Sequence, residues 1–583
     1  MLSAEDDEQH RYAKRPKHSG RIRISSVPDS NKANNDNADS GAVETVDLTH
    51  EQQHNLVPLP DVPIHLLRVR GIPEWANQGL ASARLGDLVA GTIRWALVSN
   101  YMIDLAWLFS ACPSLCKVSD GMLVVHGESP SHVAAMQHAV QSSGLQAKVT
   151  FHLPPLPPYG THHTKAFLLQ YDTGLRVIVF TANAIYPDCN NKSQALFFQD
   201  FPLKDECSPS TSTFEKDLLE YVVELKFKLP MMQSIVNKIK LHDFSAARVC
   251  LIASVPSGFQ PFTGNMISSF GHLKLRKLLE EESVVGSGFQ STFQRSPILA
   301  QFSSLGNMSK KWLDSFLDSL SAGDCVVDEK QKSAPLALPR SSLQIIWPTV
   351  SEVQNSIEGW FAGRSIPGQP DKVGKDVLKG RFHRWSGSVG GRQRAMPHMK
   401  SYTRYDPKTK ELAWVCITSH NLSKAAWGEQ QVASKTKRPQ FKILSYELGV
   451  LCLPSTELAY RRSRWYGFSC THGDAQGSTS TAPAPVAPMP AAQRATSLVF
   501  VQWQRGMSHS AWLEESESQC RLVVPVPLPY QLPPPAYGPS DVPWDTRAGM
   551  AGWDGIDSWG LPFPGQGAHY GLLEDQEWRE AVL

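Results

Sequence analysis

The chain has little that would fix it in a membrane, in an oxidising compartment or on one kind of charged partner. No stretch approaches the ~18 consecutive apolar residues of a membrane span, so an integral membrane protein is not expected. The first residues, MLSAEDDEQHRYAKRPK, are polar and charged and contain no apolar core of a secretory signal. Ten cysteines are scattered, and the closest pair, Cys112 and Cys116, has no Cys or His set at zinc spacing around it. The expectation is an intracellular chain with reduced thiols, without disulfides or structural zinc. Net charge is +2, so total charge names no partner and only local charge can.

What the chain does have is a duplicated polar pattern. The first copy, Thr161–Asn183, reads THHTKAFLLQYDTGLRVIVFTAN. His163 and Lys165 are followed by a turn at Asp172-Thr173-Gly174, an apolar run Leu175–Phe180 and the ending Thr181-Ala182-Asn183. The second copy, Met396–Asn421, reads MPHMKSYTRYDPKTKELAWVCITSHN, with His398, Lys400, a turn at Asp406-Pro407-Lys408, the run Leu412–Ile417 and Asn421. Residues i and i+2 of an extended segment share a face. His163 and Lys165 are therefore expected to point one way, with His162 and Thr164 facing the other, and a hairpin-like return to bring Asn183 back beside them. A lone H-x-K has little specificity. The same three functional groups twice, in the same order, are hard to explain as core packing.

At 583 residues there is room for two or three domains. Residues 1–56 read as a disordered tail, rich in Ser, Asn and Asp. Its basic cluster Lys14-Arg15-Pro16-Lys17 reads equally as a nuclear import signal, a phosphate-binding arm or a solvated tail. For Val46-Asp47-Leu48-Thr49, addition to a partner's sheet edge stands against chance. From Val57 onward, strand patterns (64–69, 121–126, 149–152, 248–254, 343–347) alternate with helical ones (132–142, 214–225, 231–240, 272–281, 312–320), which argues an α/β fold. The first domain is expected over 57–257 and the second over 258–545, with a flexible Ala/Pro/Ser/Thr insertion at 471–496 and a loose tail at 546–583. The proline-rich run Val524–Gly538 is read as packed on the domain. Between Arg364 and Lys410 twelve Lys/Arg face three Asp, interleaved with Trp385, Tyr402 and Tyr405. That mixture is expected to bind single-stranded nucleic acid, the cations on phosphates and the rings on bases.

Two imidazoles and two ammoniums around one pocket suit a phosphodiester. The lysines supply fixed positive charge where a metal otherwise would, and Asn183 and Asn421 can donate to the equatorial oxygens. One imidazole can attack phosphorus while the other protonates the leaving oxygen and later takes a proton from water. Such a division requires the two histidines to titrate apart, and Glu447 and Gln194 are candidates for setting it. No metal and no cofactor is expected.

The duplicated motif resembles the phospholipase D superfamily, which joins two similar α/β domains across one active site. The superfamily's usual Asp, five residues after the Lys, is replaced here by Gln170 and Tyr405, which argues against lipase activity. With GTHHTK at Gly160–Lys165, MPHMK at Met396–Lys400, SHNLSKAAWG at Ser419–Gly428 and SYELGVL at Ser445–Leu451, the chain resembles the tyrosyl-DNA phosphodiesterase I family over about residues 57–544. The resemblance implies two phospholipase D-like α-β-α sandwich domains related by a pseudo-two-fold axis. It implies His163 as nucleophile, His398 as general acid/base, and Lys165, Lys400, Asn183 and Asn421 as phosphate holders, with Gln194 and Glu447 supporting. It further implies Tyr101 and Tyr159 beside bases and Ser304 and Ser423 on backbone phosphates. The implied activity is metal-independent hydrolysis of the bond between a DNA 3′-phosphate and the tyrosine of trapped topoisomerase I, with removal of other 3′ adducts. The implied partners are DNA with a 3′-blocked end and a topoisomerase I-derived peptide. A monomer in the nucleus is expected. A lipid- or nucleic-acid-cleaving relative, or a DNA-binding scaffold with a decayed site, is the alternative; retention of all six core residues argues against decay.

Overall fold

The computed structural model describes residues 60–563 apart from the internal segments 79–80, 146–147, 206–207, 209–210, 258–260, 286–292, 294–295, 323–342, 435, 464–494, 517–519 and 547–554. The N-terminal tail with its basic cluster and the 46–49 patch, most of the 471–496 insertion and residues 564–583 lie outside the described residues.

Two mixed sheets carry the fold. The first comprises β1 (His65–Leu67), β2 (Ser82–Ala83), β3 (Trp95–Asn100), β4 (Met122–His126), β5 (Val149–His152), β6 (Ala166–Tyr171), β7 (Gly174–Phe180) and β8 (Ala195–Pro202), in the order β2-β1-β8-β7-β6-β3-β4-β5. The second draws on β9 (Cys250–Ser254), β10 (Ile298–Gln301), β11 (Leu343–Ile346), β12 (Phe382–His383), β13 (Ser401–Tyr405) and β14 (Glu411–Thr418). A hairpin of β15 (Glu429–Val432) and β16 (Pro439–Lys442) stands apart; β17 (Glu447–Cys452) then rejoins the second sheet. The far end of β14 carries a β-rich extension of β18 (Ser497–Gln502), β19 (Trp512–Glu515) and β20 (Cys520–Val526).

The sheets are copies of one another. Read from one edge, β5-β4-β3-β6-β7-β8-β1 matches β12-β11-β10-β13-β14-β17-β9. The first two pairings are parallel and the remaining four antiparallel in both. This duplication corrects the expected domain boundary. Strand β9, placed by the sequence at the end of the first domain, pairs with β17 as β1 pairs with β8. The second structural repeat therefore begins before Cys250.

Apolar runs form the central strands because both faces of the first sheet are covered. Along β3, β6 and β7 alternate residues divide between two cores: Leu97, Leu168 and Val177 enter the larger one, while Val98, Phe167 and Ile178 enter the other with Leu105 and Leu108. The larger core continues into the second half through Phe316, Trp414 and Trp427, so the two repeats share one interior.

Three expectations fail here. Trp385, Tyr402 and Tyr405 are buried, not open to bases: Tyr402 and Tyr405 lie on β13, covered on both sides, and Tyr402 accepts from the Trp427 indole. Two of the basic residues in that stretch, Arg392 and Arg404, are buried as well. Arg392 donates to Leu67 O and Ser82 Oγ of the first repeat, so it ties the halves together. The start of the expected loose tail is also docked. Asp557 accepts from Trp360 N, Ser558 Oγ donates to Ser356 O, and Phe563 packs edge-on to Trp360 at 5.0 Å. The proline-rich run packs as read, with Val524, Val526, Leu528 and Tyr530 buried.

Candidate active site

Both H-x-K segments end immediately before a central strand, β6 or β13, and each is sewn to the opposite repeat by backbone hydrogen bonds. His163 N donates to Tyr446 O and Tyr446 N to Thr161 O, both at 2.9 Å. In the other half His398 N (3.1 Å) and Met399 N (3.0 Å) donate to Ser193 O, and Ser193 N donates to Met396 O. Ser193 directly precedes Gln194, and Tyr446 directly precedes Glu447. The backbone pairing that builds one half's H-x-K thus delivers the supporting side chain of the other half.

The result is a crossed pair. His163 Nδ1 lies 2.9 Å from Glu447 Oε2, and the Gln194 amide lies 3.0 Å from His398 Nδ1. With Nδ1 engaged on each ring, Nε2 is the nitrogen left for chemistry. His162 and Thr164 face away as expected: His162 Nε2 meets Ser99 Oγ and Thr164 Oγ1 accepts from Tyr221. Lys165 and Lys400 are fully buried, and each Nζ donates to the carbonyl of its own histidine.

Asn421 is fixed by two backbone donors. Ser303 N (3.3 Å) and Ser304 N (3.1 Å) hold its Oδ1, which leaves the Nδ2 hydrogens to give. Asn183 is held through its backbone, N donating to Asp188 Oδ2 at 3.2 Å, while its Nδ2 meets the thioether of Met102 at 3.8 Å.

Burial dominates the electrostatics. It pushes both imidazoles well below their ordinary 6.5; the charges of Lys165 and Lys400 add to this at His163, whereas at His398 Asp188 opposes it and Lys400 reinforces it. Desolvation brings Lys165 down to about 8, although Glu447 and Asp188 act to hold it up, and Lys400 falls well below its usual range. Burial lifts the Glu447 carboxyl to about 7 against the pull of His420 and Lys165. Both imidazoles are thereby neutral in the empty site, so the expected separation of their titrations is not seen there; the negative charge of a bound phosphodiester would favour a proton on His398. Both lysines gain from a negatively charged ligand placed between them.

The comparisons with known proteins settle the family. A family model described as tyrosyl-DNA phosphodiesterase matches residues 63–538. The chain belongs to the tyrosyl-DNA phosphodiesterase family. It is a phosphodiester hydrolase with the phospholipase D-like fold. Tyrosyl-DNA phosphodiesterase 1 of Arabidopsis thaliana is 40% identical over 497 residues, which cover 83% of this chain and 74% of the relative. The probable tyrosyl-DNA phosphodiesterase of Caenorhabditis elegans is 31% identical, covering 68% and 85%. Among solved structures, the yeast tyrosyl-DNA phosphodiesterase aligns with a TM-score of 0.56 at 19% identity, covering 83% of this chain and 99% of that one. At that identity it bears on the fold alone.

Within this member of the tyrosyl-DNA phosphodiesterase family, the residues named from sequence fall into two groups. His163 with Glu447, His398 with Gln194, and Lys165 and Lys400 come together where the repeats meet; Asn183 joins them through Asp188, and Asn421 directly follows His420, whose charge bears on Glu447. Tyr101 borders that group, its ring 5.2 Å from the His163 ring and 5.6 Å from Lys165 Nζ. Ser304 sits beside it through its N–H to Asn421. Ser423 is one step further out, where its Oγ caps the short helix Lys424–Trp427 by accepting from Ala426 N. Tyr159 is half exposed, with φ +64°, just before Gly160, where a Cβ would lie 2.2 Å from Leu444 O. It flanks the H-x-K segment.

Sequence reasoning missed three residues. Thr181 Oγ1 contacts the Gln194 amide oxygen at 2.7 Å, and Ser419 Oγ donates to Glu447 Oε2. A signal for both was present: a small hydroxyl stands two residues before each Asn. The third, Asp188, stands on the short helix Tyr186–Asn190. It lies 3.3 Å from His398 Nδ1.

Proposed function

We propose that this chain hydrolyses the 3′-phosphotyrosyl bond between DNA and trapped topoisomerase I, and related 3′ adducts, through a covalent phosphohistidine on His163. One observation carries the reading: two histidines, each with Nδ1 tied down by a side chain from the other repeat, share a site with two buried lysines. The phosphodiester places its charged oxygens between Lys165 and Lys400 and within reach of Asn421 Nδ2. His163, donating from Nδ1 to Glu447, attacks phosphorus with its Nε2 lone pair. The bond from phosphorus to the tyrosine oxygen breaks, and that oxygen takes a proton from His398 Nε2. His398, now neutral, accepts a proton from water as the water oxygen attacks phosphorus. The phosphorus–nitrogen bond breaks, leaving a 3′-phosphate and free His163. The lysines provide the electrostatic stabilisation for which many phosphoryl-transfer sites use metal ions.

In this reading Tyr101 and Tyr159 lie beside bases of the DNA strand and Ser304 and Ser423 bind its backbone phosphates. A nuclear location accords with that substrate and with the basic cluster Lys14–Lys17. The test is a short single-stranded oligonucleotide ending in 3′-phosphotyrosine, incubated in excess chelator with wild type and His163→Ala. Conversion to the 3′-phosphate by wild type, lost by at least about 10³-fold in the variant, is expected. No conversion by folded wild-type protein would refute the substrate, and unchanged turnover by His163→Ala would refute the nucleophile.

A further inference from the structure

The repeat makes the two supporting amino acids unequal. Gln194 and Glu447 occupy equivalent positions, before or at the start of β8 and β17, so His163 meets a carboxylate there and His398 only an amide. The deficit is made up from a different position. Asp188, five residues after Asn183, brings Oδ2 to 3.3 Å from His398 Nδ1. Five residues after Asn421 stands Ala426, so the second repeat has no counterpart.

Asp188 is 2% exposed and embedded in a chain of buried charges that crosses between the repeats. Lys192 Nζ lies 3.2 Å from Asp188 Oδ1 and 3.0 Å from Glu358 Oε1, and both of those residues are buried too. Asp188 Oδ2 also accepts from the backbone N–H of Asn183. One carboxylate therefore holds a phosphate-binding residue of one repeat and the histidine of the other.

We infer that Asp188 is the positioning residue that keeps the Nδ1 proton on His398, so that Nε2 alone gives up and takes back the proton in the two chemical steps. An ionised carboxylate 3.3 Å from Nδ1 favours a proton on that nitrogen, both in the imidazolium that acts as acid and in the neutral ring that acts as base. Gln194 is placed with Nε2 towards His398 Nδ1 and Oε1 on the Thr181 hydroxyl; a proton on Nδ1 requires the amide turned end for end, an orientation the Thr181 hydroxyl also satisfies because it can accept as well as donate. The groups bearing on this pair are Lys192 and Glu358 behind it and Lys400 and Lys165 in front. His398 and Lys192 hold the Asp188 carboxyl well below the usual range despite its burial. The inference rests on the phosphohistidine reading above.

Two substrates separate a positioning role from a structural one. A 3′-phosphotyrosyl oligonucleotide needs a proton on its leaving oxygen, whereas a 3′-(4-nitrophenyl phosphate) oligonucleotide has a leaving group stable as an anion. With Asp188→Asn, first-turnover release of tyrosine is expected to slow by roughly 10- to 100-fold, with the alkaline limb of its rate profile displaced to lower pH. First-turnover release of nitrophenolate is expected to stay within about 2-fold of wild type on the same principle. Equal loss on both substrates, or no loss on either, would overturn the inference. Lys192→Met offers a second, sign-specific arm. It strips Asp188 of its competing cation, so the alkaline limb is expected to move upward; an unchanged or lowered limb would contradict the proposal. Wild-type protein that releases neither leaving group would remove the inference together with the reading on which it rests.

Discussion

At the residue scale, the two imidazoles are distinguished by what stands behind Nδ1. Glu447 decides whether His163 is a nucleophile. Its carboxyl is raised to about 7, so below that pH it carries a proton, donates to Nδ1 and leaves the hydrogen on Nε2, where the lone pair is needed. Activity should fall as pH drops through about 7. Lys165, lowered to about 8, loses its charge above that value, so the free enzyme should also weaken on the alkaline side. The pH profile of kcat/KM is therefore expected to show an acid limb set by Glu447 and an alkaline limb to which Lys165 and the proton-donating His398 both contribute. In Glu447→Gln the acid limb should vanish, and turnover should drop on the order of 10²-fold, because an amide orients the ring without favouring its charge. Persistence of the acid limb in that variant would assign it to another group. Residues repeated in both halves were legible because duplication separates chemistry from packing. Asp188 was not, because it breaks the repeat and a single acid without a counterpart in the other half carries no pattern.

At the element scale, the site depends on how closely β14 and β17 approach. Gly449 faces Thr418 across that pair, and a Cβ at 449 would fall 2.4 Å from Thr418 Cβ. Thr418 precedes Ser419, the donor to Glu447, so a side chain at 449 pries apart the strands that aim the carboxylate. Gly449→Val is expected to cost about 1–3 kcal/mol in a denaturant titration and to reduce turnover more than that loss of stability alone explains. Wild-type stability in this variant would show that the strands can spread freely. Strand positions were readable from apolar runs and turns. The role of Met396–Tyr405 was only half readable. Its charges and rings suggested an open basic face, yet Arg404, Tyr402 and Tyr405 lie inside, because β13 is a central strand with covered faces and its polar groups find internal partners such as Gln344 for Tyr405. Local composition does not report which strand of a sheet is central.

At the scale of the whole molecule, neither repeat holds a complete site. His163 needs Glu447 and Tyr446, His398 needs Ser193, Gln194 and Asp188, and the repeats are further joined by Arg392 and by a common core. The α/β duplication was legible in the sequence, but its seam was not: β9 lies near helices of the first half along the chain, and only its pairing with β17 assigns it to the second sheet. Co-expressed fragments divided between residues 245 and 246 should accordingly recover more activity than fragments divided between 257 and 258, since the latter cut strips β17, and with it Glu447, of its neighbouring strand. Equal recovery would mean that β9 is dispensable to the second sheet. The shared site itself is tested most directly by trapping its intermediate. His398→Asn, incubated with a 3′-phosphotyrosyl oligonucleotide, quenched and analysed by intact mass and peptide mapping, should accumulate a DNA adduct on His163, stable to base and labile to acid, because the water that would release it has lost its base in the other repeat. An adduct on a different residue, or continued turnover with no adduct in this variant while His163→Ala remains active, would contradict a two-repeat site acting through His163.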